Sequence, residues 1–381
     1  MLYYRYRPGT PLSMKELIYD EMYFSSVSEC NDPYEGSLFA VFEKTPKYWE
    51  RLIKQALNKE FQEKYPSLIQ NLINHCIAIS PISVNDFLAL NCGDFAINVF
   101  IDEVLPSENE GVSPLVKAIY DIKRFIAINT LVEHYFVSFS KSRDNLLMWS
   151  HYANNHRGYC LVFRPIDNKI IQHQFWLKTG FAYDTPNSSF FPYMQFNFPE
   201  KGFPIHDIVY NDELPTNQNA FLFFPNVVHP EHSIKEIDAA YRSLTDAYLR
   251  KHTAWKDEEE VRLLISGGIQ QMAKKMLHIS NHERLFHYDP SQLVGIILGA
   301  RMSAEQRSQI EEIIQQKLNV YGLSFGFVVF DARLSTNTVK IEVTPVRILY
   351  PTEKVDKKHA SFNKKFQSWN ATNNFFENAV K

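Results

Sequence analysis

The chain has 381 residues, 45% of them hydrophobic and 22% charged, a globular composition that argues against disordered, collagen-like and coiled-coil architectures and leaves room for more than one average domain. Forty Lys and Arg against 43 Asp and Glu leave a formal charge of −3, so no global field draws nucleic acid or anionic lipid. Aromatic residues stand out at 14%, which favours strands and stacked pockets over a plain helix bundle.

Residues 2–7 alternate aromatic and basic side chains and predict a strand; Ser13 with Glu16 reads as a capping box opening a short helix to about Asp20. Met22 to Ser26 predicts a second strand, broken by a turn at Asn31-Asp32-Pro33 and Gly36. From Thr45 to about Asp102 the spacing is helical, with Leu68, Leu72, Ile73 and Cys76 on one face, and a further helix is expected over Leu115 to Val132. Tyr135 to Ser140 alternates as a strand. A helix follows over Asn145 to Ala153, then a loop through Gly158 and a strand over Tyr159 to Arg164. Trp176 to Pro204 has no periodicity and predicts a long loop; Ile205 to Tyr210 predicts a short strand and Ile234 to Lys251 an amphipathic helix. Val261 to Ile265 and Val294 to Leu298 read as strands, and Ser303 with Gln306 caps a helix that turns Ile310, Ile313, Ile314 and Leu318 to the core. Strands are expected over Ser324 to Phe330 and Thr338 to Val343, and a loosely held tail beyond Tyr350.

The N-terminus lacks the apolar core of a signal peptide, and no run of about 18 apolar residues occurs, so a cytoplasmic chain without a membrane partner is expected. Cys30, Cys76, Cys92 and Cys160 lie far apart without a Cys-x-x-Cys, which predicts reduced, mostly buried thiols and no structural zinc. His151 and His156 are five apart, not at the i, i+4 spacing of a helical zinc pair, and a buried, hydrogen-bonded His151 is expected. There is no Gly-x-Gly-x-x-Gly, no P-loop and no Gly-x-Ser-x-Gly, which argues against Rossmann, P-loop and α/β-hydrolase chemistry.

Trp255-x-x-Glu258-x-Glu260-x-Arg262 is the densest acidic constellation. On a strand, 258, 260 and 262 would share a face at about 7 Å per two-residue step, so two carboxylates could divide the work on one substrate; a solvated charge run is the alternative. Ser138 and Ser140 would flank Phe139 on one strand face, placed to bond a ligand or a carboxylate, or simply to edge a strand. Arg5 and Arg7 fall on one strand face, suited either to gripping phosphate or to snorkelling at a surface. Trp149 and Tyr152 are assigned to the core. The tail's lysines and its Phe362, Phe366, Trp369, Phe375 and Phe376 could touch nucleic acid or pack on their own domain.

The chain resembles a bacterial family of unknown function over about residues 1–320, in Tyr4-Arg5-Tyr6-Arg7, Phe24-Ser25, Asn31-Asp32-Pro33-Tyr34-Glu35, Ser138 to Ser140, Met148-Trp149-Ser150-His151-Tyr152, Gly158, Trp255 to Arg262 and Gly299. More remotely, a basic strand, then Ser-x-Ser, then Glu-x-Glu resembles the Arg–Ser–Glu layout of ADP-ribosyltransferases. That resemblance implies a split, mostly antiparallel sheet binding NAD as substrate, with no metal. Arg7 or Arg5 would hold its phosphates and ribose, and Ser138 with Ser140 would support the nicotinamide-ribose site. Glu260 would stabilise the oxocarbenium ion and Glu258 would orient a protein or nucleic-acid acceptor. The doubled arginine, Ser-Phe-Ser in place of Ser-Thr-Ser, and the large insertion between the first two motifs depart from that pattern. The expectation is an α+β protein with an ADP-ribosyltransferase-like core from 1–43 and 115–320, a helical insertion at 44–114, and a C-terminal extension at 321–381. NAD-dependent ADP-ribosyl transfer or NAD hydrolysis, in a toxin or phage-defence effector, is the function implied. The alternatives are a metal-dependent nuclease using Asp32, Glu35, Glu258 and Glu260, and a non-enzymatic binding module built on the 176–204 loop.

Overall fold

The computed structural model describes residues 1–32, 34–36, 39–42, 44–91, 114–130, 134–174, 179–181, 195–197, 202–213, 216–217, 245–266 and 281–376. They form a mixed α/β fold around one large, mostly antiparallel sheet. Its nine strands, numbered in chain order, are β1 Tyr3–Arg7, β2 His134–Ser140, β3 Tyr159–Phe163, β4 His206–Asp207, β5 Glu260–Ser266, β6 Leu293–Leu298, β7 Phe327–Leu334, β8 Ile341–Leu349 and β9 Lys354–Asp356. They lie side by side as β4-β5-β2-β1-β3-β6-β7-β8-β9, and only β6 and β7 run parallel, joined by a helix. The helices are α1 Pro11–Tyr19, α2 Pro46–Ala56, α3 Lys59–Lys64, α4 Pro66–Ile79, α5 Val84–Ala89, α6 Pro114–Thr130, α7 Leu146–His151, α8 Ala304–Tyr321 and α9 Phe362–Asn373.

Both faces of the sheet are covered, which is why β3 is buried along its whole length. Tyr159, Leu161 and Phe163 join Tyr3, Val137, Val261 and Leu263 under α1 and α8, to which Leu17, Ile310, Ile314 and Leu318 contribute. On the other face Cys160 and Val162 join Tyr4, Tyr6, Val294 and Ile348 beneath α7 and α9, whose Trp149, Phe362 and Trp369 are buried. A period of two thus sorts every central strand between two cores. Helix α8 starts where expected, with Ser303 Oγ accepting the Gln306 N–H at 3.2 Å, and stops at Gly322 in the left-handed region (φ +61°).

A separate apolar cluster gathers α2, α4, α5 and α6 around Phe42, Trp49 and Phe87. Helix α6 gives Leu115, Ala118, Ile119, Ile122 and Ile126 to it, so the helical cluster extends past residue 114.

Several expectations are corrected. Helix α1 begins at Pro11, capped by Thr10, whose Oγ1 accepts the Ser13 N–H at 3.4 Å; Glu16 is not a capping-box acid but an ion-pair partner of Arg7. The second strand is Glu21–Tyr23 alone, because Ser26 instead caps a 3-10 turn with Glu29 returning a bond to its N–H. Lys251 belongs to a short strand pair, Arg250–Lys251 beside Val209–Tyr210, rather than to a helix; residues 234–244 lie outside the described residues. Most of 176–204 also lies outside them, apart from Thr179–Phe181 paired with Gln195–Asn197 and the strand Phe203–Pro204. The chain beyond Tyr350 is not loosely held: β9 extends the sheet, and Phe362, Trp369 and Phe375 are buried on it. Cys30, Cys76 and Cys160 are free thiols, and Cys92 lies outside the described residues. Among the described residues no helix is long and apolar enough to cross a membrane.

Two glycines set the approach to β1. After the left-handed run Asn154, Asn155 and His156, the chain returns so tightly that a Cβ on Gly158 would stand 2.1 Å from the Arg7 carbonyl oxygen. A Cβ on Gly299 would stand 2.3 Å from the His156 carbonyl oxygen, so both positions exclude any side chain.

Candidate functional site

β1 and β2 share a single register pair, Tyr4 opposite Ser140. Farther back along β2 the same edge is taken by Ser25, whose N–H donates to the Phe136 carbonyl at 2.9 Å and whose carbonyl accepts the Phe136 N–H at 3.0 Å. The sheet therefore forks between β1 and β2. A cavity of about 360 Å³ fills the fork, a size suited to a small ligand. Arg5, Arg7, Ser138, Glu258 and Glu260 all line it, so five of the six residues picked out by the ADP-ribosyltransferase resemblance, drawn from three separated parts of the chain, meet at one place, together with Asp32 and Glu35 of the nuclease alternative.

Ser140, the sixth, does not line it. It is fully buried and donates to the Glu258 carbonyl at 2.7 Å while accepting the Ser142 N–H at 3.0 Å, so its hydroxyl positions the acidic segment.

The two carboxylates converge by a route other than strand alternation. Glu258 ends a 3-10 helix, Thr253–Glu258, and Glu259 turns through the left-handed region (φ +45°) before β5 begins at Glu260. Ser140 Oγ and the Lys141 N–H, which donates to the Glu259 carbonyl at 2.9 Å, hold this kink. Glu258 is thereby folded back beside Glu260, and Lys251 Nζ bridges them, 2.6 Å from Glu258 Oε2 and 2.9 Å from Glu260 Oε2. Tyr152 Oη donates to Glu258 Oε1 at 2.7 Å, and Ser138 Oγ donates to Glu260 Oε1 at 2.5 Å. Behind the cavity wall Arg262 grips Glu260 from Nε at 2.7 Å, pairs with Glu35, and donates from Nη1 to the Tyr248 carbonyl at 2.6 Å.

The result is a buried chain of alternating charge, Glu258, Lys251, Glu260, Arg262, Glu35. Burial raises the Glu260 pKa, against the pull of Lys251 and Ser138. Burial by itself would depress the Lys251 ammonium, but Glu260 and Glu258 carry it above the ordinary lysine value. Burial brings Arg262 down to about 9 and lifts the Cys30 thiol to about 11, so Cys30 is a poor nucleophile at neutral pH. With their oxygens committed to Lys251 and Arg262, the acids are poorly disposed to collect a cation. Among the described residues no three His, Cys, Asp or Glu side chains form a metal-binding group.

The arginines reach the fork from the other side. Pleating puts Arg5 and Arg7 with Tyr3, beneath α1, whereas Tyr4 and Tyr6 share the face of Ser138 and Glu260. Arg5 is buried and donates to the Glu21 carbonyl at 3.4 Å; burial, with the charge of Arg7 next, lowers its pKa to about 10. Arg7 is ion-paired with Glu16, yet its Nε is buried without a hydrogen-bond partner among the described residues.

Lys251 and Tyr152 are the site residues that sequence reasoning missed. Tyr152, expected in the core, lines the cavity one helical turn from Met148, and the i, i+4 spacing of these two was the available signal. Trp149 alone is core, fully buried, while Leu146 is exposed. His151 is exposed, and of the two it is His156 that is buried, stacked on Trp149 at 6.3 Å and lowered in pKa by burial.

No curated protein and no solved structure matches the chain. One family model does, described as protein of unknown function (DUF2971), and it covers residues 148–263, leaving the β1, Asn31 to Glu35 and Ser138 to Ser140 motifs outside the match. Tyr152, Lys251, Glu258, Glu260 and Arg262 thus all fall within a segment similar to a family whose function is unassigned.

Proposed function

We propose that the fork binds NAD and breaks its nicotinamide–ribose bond, passing ADP-ribose to water or to a protein or nucleic-acid acceptor. The observation that carries this reading is the meeting of Arg7, Ser138 and Glu260 at one cavity where a mostly antiparallel sheet splits. An arginine-lined end suits a pyrophosphate and an acid-lined end suits a sugar cation, and NAD has both about one ribose apart. Ser138 spends its proton on Glu260, so its lone pairs remain for a ribose hydroxyl.

In the step proposed, the C1′–N1 bond breaks and its electron pair leaves with nicotinamide, neutralising the ring. Glu260 stabilises the positive charge left on the ribose. An acceptor oxygen then bonds to C1′ and loses its proton: a protein or nucleic-acid group gives it to Glu258, which Tyr152 orients, and an attacking water gives it to the surrounding solvent. Depletion of NAD or modification of an acceptor is how a toxin or phage-defence effector would act through such a site.

The test is incubation of the purified protein with NAD while following free nicotinamide by chromatography, with Glu260→Gln as the control. Release that Glu260→Gln abolishes supports the reading. Absence of both NAD binding by calorimetry and nicotinamide release overturns it.

A further inference from the structure

The turn Asn31-Asp32, with Glu35, lies at the fork and takes no part in the cleavage step above. Asp32 and Glu35 both line the cavity and both are buried, Asp32 to 4% exposure. Glu35 is spent on Arg262. Asp32 also feels the Arg262 charge, but its own hydrogen bonding is local and incomplete: Oδ1 accepts the Tyr34 N–H at 2.9 Å and fixes the turn, while Oδ2 is buried with no hydrogen-bond partner among the described residues. A buried carboxylate oxygen without a donor is costly, and in a residue of the cavity wall a bound ligand can supply that donor.

The ligand group that fits is a cationic or N–H-bearing one. Asp32, Glu29, Glu258 and Glu260 all line this cavity, and Glu29 already holds the Ser26 N–H, the Tyr23 hydroxyl and Arg284. Nicotinamide in NAD is a positively charged ring with an amide N–H₂. We infer that Asp32 is a specificity residue whose Oδ2 accepts the carboxamide N–H, so that the site takes NAD and rejects nicotinic acid adenine dinucleotide, whose carboxylate offers no donor and would face Asp32 as a like charge. This rests on the reading of the fork as an NAD-cleaving site.

The experiment compares kcat/KM for NAD and for the nicotinic acid dinucleotide in the wild type, Asp32→Asn and Asp32→Ala. Asparagine keeps an oxygen for the Tyr34 N–H and places an N–H₂ where Oδ2 was, so the turn is retained while the polarity of the contact reverses. The wild type is expected to prefer NAD by at least ~10²-fold, as sites built around a buried hydrogen bond do. Asp32→Asn should shift that ratio at least ~10-fold toward the acid, and Asp32→Ala should erode it without favouring the acid. Free nicotinamide should also inhibit the wild type at lower concentration than nicotinic acid, a measurement that needs no variant. Normal NAD cleavage with equal use of both dinucleotides, or a ratio unmoved in Asp32→Asn, overturns this inference and leaves the cleavage reading standing. A wild type that neither binds nor cleaves NAD overturns both.

Discussion

Lys251 offers the sharpest test of how the acidic pair is kept in a buried wall. Lys251→Met retains most of the stem and removes the ammonium that stands 2.6 Å and 2.9 Å from the two carboxylates. The five-residue ion chain then carries three acids against Arg262 alone. Breaking one partner out of a buried ion pair costs ~3–5 kcal/mol, chiefly because the remaining charge stays desolvated. The sign of the pH dependence follows from Glu260, whose pKa burial already raises in the folded state and which loses its main opposing cation in the variant. A carboxylate with a raised folded pKa favours folding at low pH, where it is protonated, and opposes it as pH climbs above its unfolded value of about 4.3. In the wild type Lys251 is raised, so its contribution is complete below about pH 10 and flat through neutrality. Denaturant titrations at pH 5, 6, 7 and 8 should therefore show a deficit of ~3–5 kcal/mol for Lys251→Met at pH 8 that shrinks steadily toward pH 5. A deficit below ~1 kcal/mol at pH 8, the range of exposed pairs, or one independent of pH, would refute the bridging role.

Glu260→Gln should lower NAD cleavage by ~10²–10³-fold, the usual cost of losing one preorganised electrostatic group, measured as nicotinamide release. It leaves two acids and two cations in the ion chain, so circular dichroism should report a folded protein. Glu258→Gln should spare hydrolysis and reduce transfer to an added acceptor; equal loss of both in a stable variant would show that the two acids do not divide the work. Trp149→Ala empties a fully buried site and should cost ~3–5 kcal/mol in denaturant titration, whereas Tyr152→Phe should melt near the wild type and lower transfer to an added acceptor. Gly158→Ala must displace the Arg7 carbonyl, 2.1 Å from the added Cβ, and should weaken NAD binding by calorimetry more than it lowers the melting temperature.

The sheet's central strands were legible because alternation and aromatic content are properties of a few consecutive residues. Tyr4 and Tyr6 against Arg5 and Arg7, and Ser138 and Ser140 around Phe139, follow a period of two that the pleat preserves. Lys251 was hidden for the opposite reason. Its role depends on a two-residue strand formed with Val209–Tyr210, far away in sequence, and nothing within its own neighbourhood distinguishes that from the end of a helix. The two acids do come side by side, but not through the strand alternation expected of them: a non-glycine residue at φ +45° has no reliable sequence mark, and the kink at Glu259 exists because Ser140 and Lys141 secure it from another strand. The tail was half legible: its aromatics pointed to packing on their own domain, and Phe362, Trp369 and Phe375, spaced along a helix and just past its end, do cover a sheet face, whereas its lysines wrongly suggested a loosely held end.

The fork itself explains why residues on opposite faces of one sheet share a cavity. In an unbroken ladder β1 would run along β2 past Tyr4 and Ser140, and the pleat would keep Arg5 and Arg7 apart from Ser138 for good. Ser25 prevents this by claiming both backbone groups of Phe136, so β2 turns its edge to the segment after Glu21–Tyr23 and β1 continues along β3 alone. The gap opened between them gives access from both faces at once, cations from beneath α1 and acids from the side of α7. The 3-10 turn after Ser25, capped by Ser26 and Glu29, leads directly into Asn31 and Asp32, so the segment that opens the fork also carries the carboxylate at its wall. Shifting Ser25 would then move both the separation of β1 from β2 and the position of Asp32, which ties the shape of the cavity to the group that reads its ligand.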